Sequence, residues 1–127
     1  PRTVQPQYFD NLVLVHLERG DTTAVIGELE RELDHYPDLP QTLWALAYYL
    51  QKQGRDTEAS RCLERLLARV GERPDLLRET GLLDLRLGRT ERGRQRLTRY
   101  LELAPQAPDS QPIAEMIGTL PATHGGP

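Results

Sequence analysis

A chain of 127 residues with 19 acidic and 16 basic side chains carries a net charge of -3, and 38% of it is hydrophobic. That is one domain's worth of chain, and so small an imbalance argues neither for nor against a nucleic-acid partner. The single Cys62 excludes an internal disulfide and a cysteine-rich metal site, and no apolar run reaches the roughly eighteen residues that a membrane span needs.

Leu, Ala, Glu and Arg fill the middle of the chain, a helical composition. Glycine and proline sit at boundaries, and they do so periodically. Gly20, Gly54 and Gly88 stand 34 residues apart, and so do Pro6, Pro40 and Pro74. Phe9, Leu43 and Leu77 recur at the same spacing, as do Leu29, Leu63 and Leu97, and Leu33, Leu67 and Leu101. A fixed period with glycine, proline and leucine in matching slots predicts an all-α solenoid of helical hairpins. Charge is unevenly spread over these units. Residues 6–39 hold eight acids and two bases, a balance of -6. Residues 40–73 hold six bases and four acids, and residues 74–107 seven and five, each +2. Such a gradient orients a partner, stacks one copy's head on another's tail, or marks solvated faces alone.

Residues 1–5 read as a flexible arm. No signal peptide is visible, although a chain that begins at Pro1 without methionine also fits a trimmed mature form or an excised domain. Repeat 1, residues 6–39, opens with a helix over roughly Gln7 to Arg19, with Phe9, Leu12, Val13 and His16 on one face. Gly20-Asp21 turns the chain, Thr22 or Thr23 caps the second helix, and Tyr36-Pro37 ends it. Repeat 2, residues 40–73, starts its first helix at Pro40 and lines it with Leu43, Leu46, Ala47 and Leu50. Asp56 is the expected cap of its second helix, where Ala59, Leu63, Leu66 and Leu67 face back and Cys62 is a surface or partly buried thiol. Ala47 and Ala59 are small where the two helices should come closest. Repeat 3, residues 74–107, puts Gly81 and Gly93 in those slots and ends its second helix at Leu103 or Ala104, before Pro105. Residues 109–120 then predict a short capping helix, started by Ser110 and carrying Ile113, Met116, Ile117 and Leu120 on one side. Residues 121–127 read as a disordered tail.

The spacing resembles that of the tetratricopeptide repeat family. Its pattern of large, small and aromatic slots reads Leu43, Leu46, Ala47, Leu50, Ala59, Leu63, Leu66 and Gly71 in repeat 2. In repeat 3 the same slots read Leu77, Thr80, Gly81, Asp84, Gly93, Leu97, Tyr100 and Pro105, and in repeat 1 Phe9, Leu12, Val13, His16, Val25, Leu29, Glu32 and Pro37. Repeat 1 departs most, with Val13 and Val25 in small-residue slots. Glu32 stands in an alanine slot, where an exposed end of the array would accommodate it. Asp84 in an aromatic slot is expected to bond Arg86 or nearby backbone, or to reach solvent.

The resemblance implies a right-handed solenoid whose concave side is lined by the first helix of each repeat. The partner-binding positions it implies are Asp10, Leu14 and Leu17, with Gln7 and Glu18, from repeat 1. Trp44, Tyr48, Gln51 and Lys52, with Gln41, come from repeat 2, and Arg78, Leu82, Leu85 and Arg86, with Asp75, from repeat 3. Trp44 is the sharpest of them, a binding anchor or else core packing between repeats. Tyr48 is assigned to the groove and Tyr49 to the seam. Lys52, Arg78 and Arg86 suit a carboxylate or an acidic peptide segment. Members of the family that grip a chaperone's C-terminal carboxylate use a lysine and asparagine lattice on successive first helices. Here those slots hold Asp10, Leu14, Trp44, Tyr48, Arg78 and Leu82, so a co-chaperone of that class is not expected.

No catalytic, cofactor or metal site is expected: His16, His35 and His124 are far apart, and no phosphate loop or paired nucleophile and base appears. The expected function is a protein-interaction or scaffold module that binds a peptide or helix. The alternatives are a self-associating structural domain, which makes a homodimer, and a regulatory appendage of an enzyme outside this segment. Neither nucleic acid nor membrane insertion is expected. The expected setting is soluble, in the cytoplasm first, with the periplasm or a membrane-anchored protein as alternatives.

Overall fold

Helix boundaries fall where glycine and proline interrupt the apolar stripe. The computed structural model of the protein describes residues 16–122. Six helices lie wholly within them: α1 Thr22–His35, α2 Pro40–Lys52, α3 Asp56–Val70, α4 Pro74–Arg86, α5 Thr90–Leu103 and α6 Ser110–Thr119. Residues 16–18 are the helical end of the element before α1. Asp10, Leu14 and the rest of that element lie outside the described residues, as do the expected arm at 1–5 and the tail from 123.

The periodic glycines close each turn in the same way. Gly20, Gly54 and Gly88 have φ of 69°, 73° and 78°, a left-handed conformation that costs a side chain energy and glycine nothing. Gly20 N–H donates to Leu17 O at 3.0 Å, and Asp21 N–H to His16 O at 2.9 Å. The pair recurs as Gly54 to Gln51 and Arg55 to Leu50, both 2.9 Å, and as Gly88 to Leu85 at 3.1 Å and Arg89 to Asp84 at 2.8 Å. These are Schellman closures, which satisfy the last carbonyls of one helix and aim the chain into the next.

The closure also corrects the expected caps. The residue after each glycine is already the N-cap: Val25 N–H donates to Asp21 O, Ala59 to Arg55 O and Gly93 to Arg89 O. Of these three only Asp21 brings a capping side chain, its Oδ1 accepting from Ala24 N at 2.9 Å. Thr22 and Thr23 are therefore inside α1, and Asp56 sits in the first turn of α3 with Glu58. There its charge suits the helix dipole. Asp109, not Ser110, is the N-cap of α6, and its side chain makes no cap bond.

The chain forms two compact units, one up to Arg69 and one from Val70. In the first, α1 packs on α2. Val25, Ile26, Leu29, Leu43, Leu46, Ala47, Leu50, Ala59, Leu63 and Leu66 are buried there, the stripe that the periodicity predicts. Cys62 is buried as well, at 6% exposure, rather than at the surface, and burial pushes its thiol pKa up. Glu32 is not at an exposed end: it is 1% exposed, and Thr42 Oγ1 of α2 donates to its Oε1. A buried carboxylate needs such donors. His16 lies at the boundary of this core, its Nε2 3.8 Å from Glu28 Oε1.

In the second unit α4 packs on α5, and α5 on α6. Leu77, Leu97, Tyr100 and Ile113 form its core cluster, with Leu82, Leu85, Leu101 and Ile117 packed against it. The two helix glycines make the close approach possible. A Cβ on Gly93 would stand 2.9 Å from Gly81 O and 2.6 Å from Leu85 Cδ2, and one on Gly81 2.7 Å from Leu97 Cγ. Asp84 is 1% exposed, so it does not reach solvent as one of the expected alternatives has it, and it bonds arginines at the start of and within the next helix. Arg96 Nη1 donates to its Oδ2 at 2.9 Å, and Arg89 Nη1 to its Oδ1 at 3.4 Å. Arg92 Nε stands 3.8 Å away.

Two stability outcomes follow from this packing. Gly93→Ala meets a backbone oxygen and Gly81→Ala the Cγ of the fully buried Leu97, and each should cost about 1–3 kcal/mol. Gly118→Ala in α6, with nothing within 4 Å of its Cβ, should be neutral or stabilising by up to about 1 kcal/mol. Urea unfolding midpoints of the three variants decide the ranking. Asp84→Asn should cost about 1–3 kcal/mol, because it weakens charge-assisted bonds while leaving arginines with partial access to water.

Candidate functional site

In α2 the inward stripe is complete without its aromatic residues. Leu43, Leu46, Ala47 and Leu50 are buried, which leaves the positions between them on the outer face. Trp44 is 37% exposed and Tyr48 is 52% exposed. With Lys52 they sit four residues apart, one above the other. Lys52 Nζ stands over the Tyr48 ring, 5.0 Å from its centroid, in cation–π geometry. Tyr49 meets the same ring edge-on, centroids 5.0 Å apart at 86°, and is itself half-buried. Gln51 is half-buried with Nε2 donating to Ala47 O at 3.3 Å, and Gln41 is exposed. Leu17, at the end of the preceding helical segment, is 39% exposed.

In α4 the predicted positions divide. Leu82 and Leu85 are half-buried against the core cluster, Leu85 filling the space that Gly93 leaves. Arg86 is exposed at the helix end. Arg78 already holds a carboxylate. Its Nε donates to Asp109 Oδ2 at 2.5 Å and its Nη1 to Glu79 Oε2 at 2.8 Å, while Tyr100 Oη donates to Asp109 Oδ1. Asp109 is thus gripped on both oxygens. The Tyr100 hydroxyl, and then the Arg78 guanidinium, hold its carboxyl below the usual carboxylate range. The same bond raises the Tyr100 pKa.

Neither Asp109 nor Tyr100 stands among the binding positions that the sequence suggests. The signal for Asp109 was present: Pro108-Asp109 follows Pro74-Asp75 by one more period of 34. Among the described residues no group of three or more His, Cys, Asp or Glu is placed to hold a metal ion. Nor is any helix among them long and apolar enough to cross a membrane.

The hairpins, their glycine turns and the covering helix match a known architecture. A tetratricopeptide repeat profile fits residues 45–118, more than half of the chain. The chain belongs to the tetratricopeptide repeat family. Among curated relatives, a UPF0162 protein of Xylella fastidiosa (strain 9a5c) is 47% identical over 47 residues, which is 37% of this chain. The match spans only 17% of that relative's length. Among solved tetratricopeptide structures, residues 41 to the end of MamA from Desulfovibrio magneticus RS-1 superpose with a TM-score of 0.77 at 15% identity, covering 87% of this chain and 63% of that one. The first repeat domain of Spaghetti (RPAP3), bound to the HSP90 peptide SRMEEVD, gives 0.72 at 16% identity, covering 94% and 100%. The Sgt2 domain of Aspergillus fumigatus gives 0.70 at 15%, covering 99% and 94%. At these identities the likeness is one of fold.

The lowered Asp109 pKa has a pH consequence. A carboxylate held below its unfolded value stabilises the fold at pH above the ordinary carboxylate range, and that contribution is lost as pH falls through the folded value. Asp109→Asn should therefore lower the urea midpoint near pH 7 and converge on wild type in acid, once pH has fallen through the lowered folded value. A gap that persists unchanged in acid would remove Asp109 as the titrating group.

Proposed function

We propose that this chain is a protein-interaction module whose hairpins present their first helices to a peptide or helix of another protein. The reading takes repeats at 6–39, 40–73 and 74–107, with α6 as the covering element. One observation carries it: Trp44 and Tyr48 stand exposed one turn apart on a helix whose own core stripe is already filled by leucine and alanine. Trp44 lies outside that stripe and keeps 37% of its surface exposed, which a partner can bury at a small cost in torsional order. Lys52 beside Tyr48 in one unit and Arg78 in the other give each patch a basic edge, which suits a partner segment that mixes apolar and acidic side chains.

Peptide capture by RPAP3 supports the class of function and not the ligand. The slots that a lysine and asparagine lattice would need hold Trp44, Tyr48, Arg78 and Leu82 among the described residues. A helix or extended segment with an apolar anchor fits this surface better than a bare C-terminal carboxylate.

The test uses a peptide selected from a random displayed library against the full chain. Trp44→Ala should weaken that peptide by about thirtyfold, the effect of a hot-spot anchor, while the urea midpoint moves little. Equal losses in binding and stability would return Trp44 to a packing role. Light scattering over a concentration series belongs beside it: a tight dimer that Trp44→Ala dissociates would make self-association the function of this surface.

A further inference from the structure

Asp109 occupies the N-cap of α6, where aspartate ordinarily accepts from the helix's first amides, yet it makes no such bond. Asp21, at the N-cap of α1, accepts from the amide three residues on, Ala24 N, at 2.9 Å; the matching residue in α6 is Pro112, which has no N–H, so the first-turn donor open to Asp109 is Gln111. The Asp109 carboxylate is diverted outward, to Arg78 of α4 and Tyr100 of α5. These two donors converge on one carboxylate from two helices that are already locked together at Gly81 and Gly93. The Arg78 and Asp109 side chains keep 38% and 29% of their exposure, so water reaches the pair. Of the α6 side chains only Ile113 is buried, and past the helix's far end Arg94 Nη2 donates to Pro121 O at 2.5 Å.

We propose that Arg78 and Tyr100 form a carboxylate-recognition subsite that Asp109 fills in cis, so that an acidic partner segment binds there by displacing Asp109 and unfastening the start of α6. The inference rests on the interaction-module reading and adds its regulation. Displacement has a compensating state close by. A released Asp109 can accept from Gln111 N–H in the first turn of its own helix, a bond it does not make in the latched state. Ile113 and the Arg94 bond keep α6 attached while its first turn moves. Affinity for an acidic segment is then reduced by the fraction of molecules in which Asp109 holds the site.

The probe is hexaglutamate, with hexaglutamine as the neutral control, titrated by calorimetry into the full chain at low salt. Asp109→Asn should bind hexaglutamate about tenfold more tightly than wild type, since a neutral amide competes poorly with a carboxylate for Arg78. Glu115→Gln removes the same charge from the exposed face of α6 and should change affinity by no more than about twofold. Adding Arg78→Gln to Asp109→Asn should abolish the gain. In wild type, the amides of Ser110, Gln111 and Ile113 should shift in nitrogen–proton spectra with hexaglutamate and not with hexaglutamine, a readout that needs no variant. Equal effects of Asp109→Asn and Glu115→Gln, a gain that survives Arg78→Gln, or unshifted amides would each overturn the subsite. Those failures leave the α2 aromatic surface standing, because Trp44→Ala tests it without Arg78.

Discussion

Three glycines held at positive φ set the phase of everything that follows them in each hairpin. Because Gly20, Gly54 and Gly88 each close a helix with the same pair of backbone bonds, the next helix starts at the same residue of the repeat whatever side chain stands there. Asp21, Arg55 and Arg89 share one N-cap position although only the aspartate can cap. Backbone geometry thus overrides side-chain preference, and the apolar stripes of paired helices meet in register. The glycine conformation is the constraint on which helix phase, core and outer face all depend.

Within that frame the two units fill their seams differently. Around α1 and α2 the core is aliphatic, with Glu32 enclosed and bonded to Thr42. Around α4 and α5 the helices approach over Gly81 and Gly93, and Asp84 sits in the seam among Arg89, Arg92 and Arg96. Buried carboxylates of this kind add little net stability, because desolvation offsets most of the attraction. Their effect is on pairing: a carboxylate with its donors on one neighbouring helix tolerates few alternative packings of that helix.

Surface chemistry then follows from what the core leaves over. On α2 the leucines and alanines take the inward stripe, and the aromatic residues are left outside it, with Lys52 laid over Tyr48. On α4 the leftover face is partly closed by the chain itself. Leu82 and Leu85 pack into the core cluster, and Arg78 is engaged by Asp109. One unit therefore leaves aromatic side chains exposed, and in the other Arg78 is already paired.

Helix content, hairpin order, turn positions and most of the leucine core were legible in the sequence, since they depend on local rules: a 34-residue period, a glycine where φ must be positive, and apolar spacing along one helix. The same period shows which α2 residues are left off the stripe, and so marks Trp44 and Tyr48 before any coordinates exist. What only the tertiary structure decided is the fate of single charges. Glu32, Asp84 and Asp109 each have plausible partners or solvent nearby in sequence, and the ones they take stand 5 to 31 residues away, while Arg78 takes Asp109 as well as its neighbour Glu79. Periodicity says which face a side chain occupies. It does not say which group from another helix arrives there, and for a charged group that arrival determines whether burial is tolerated at all.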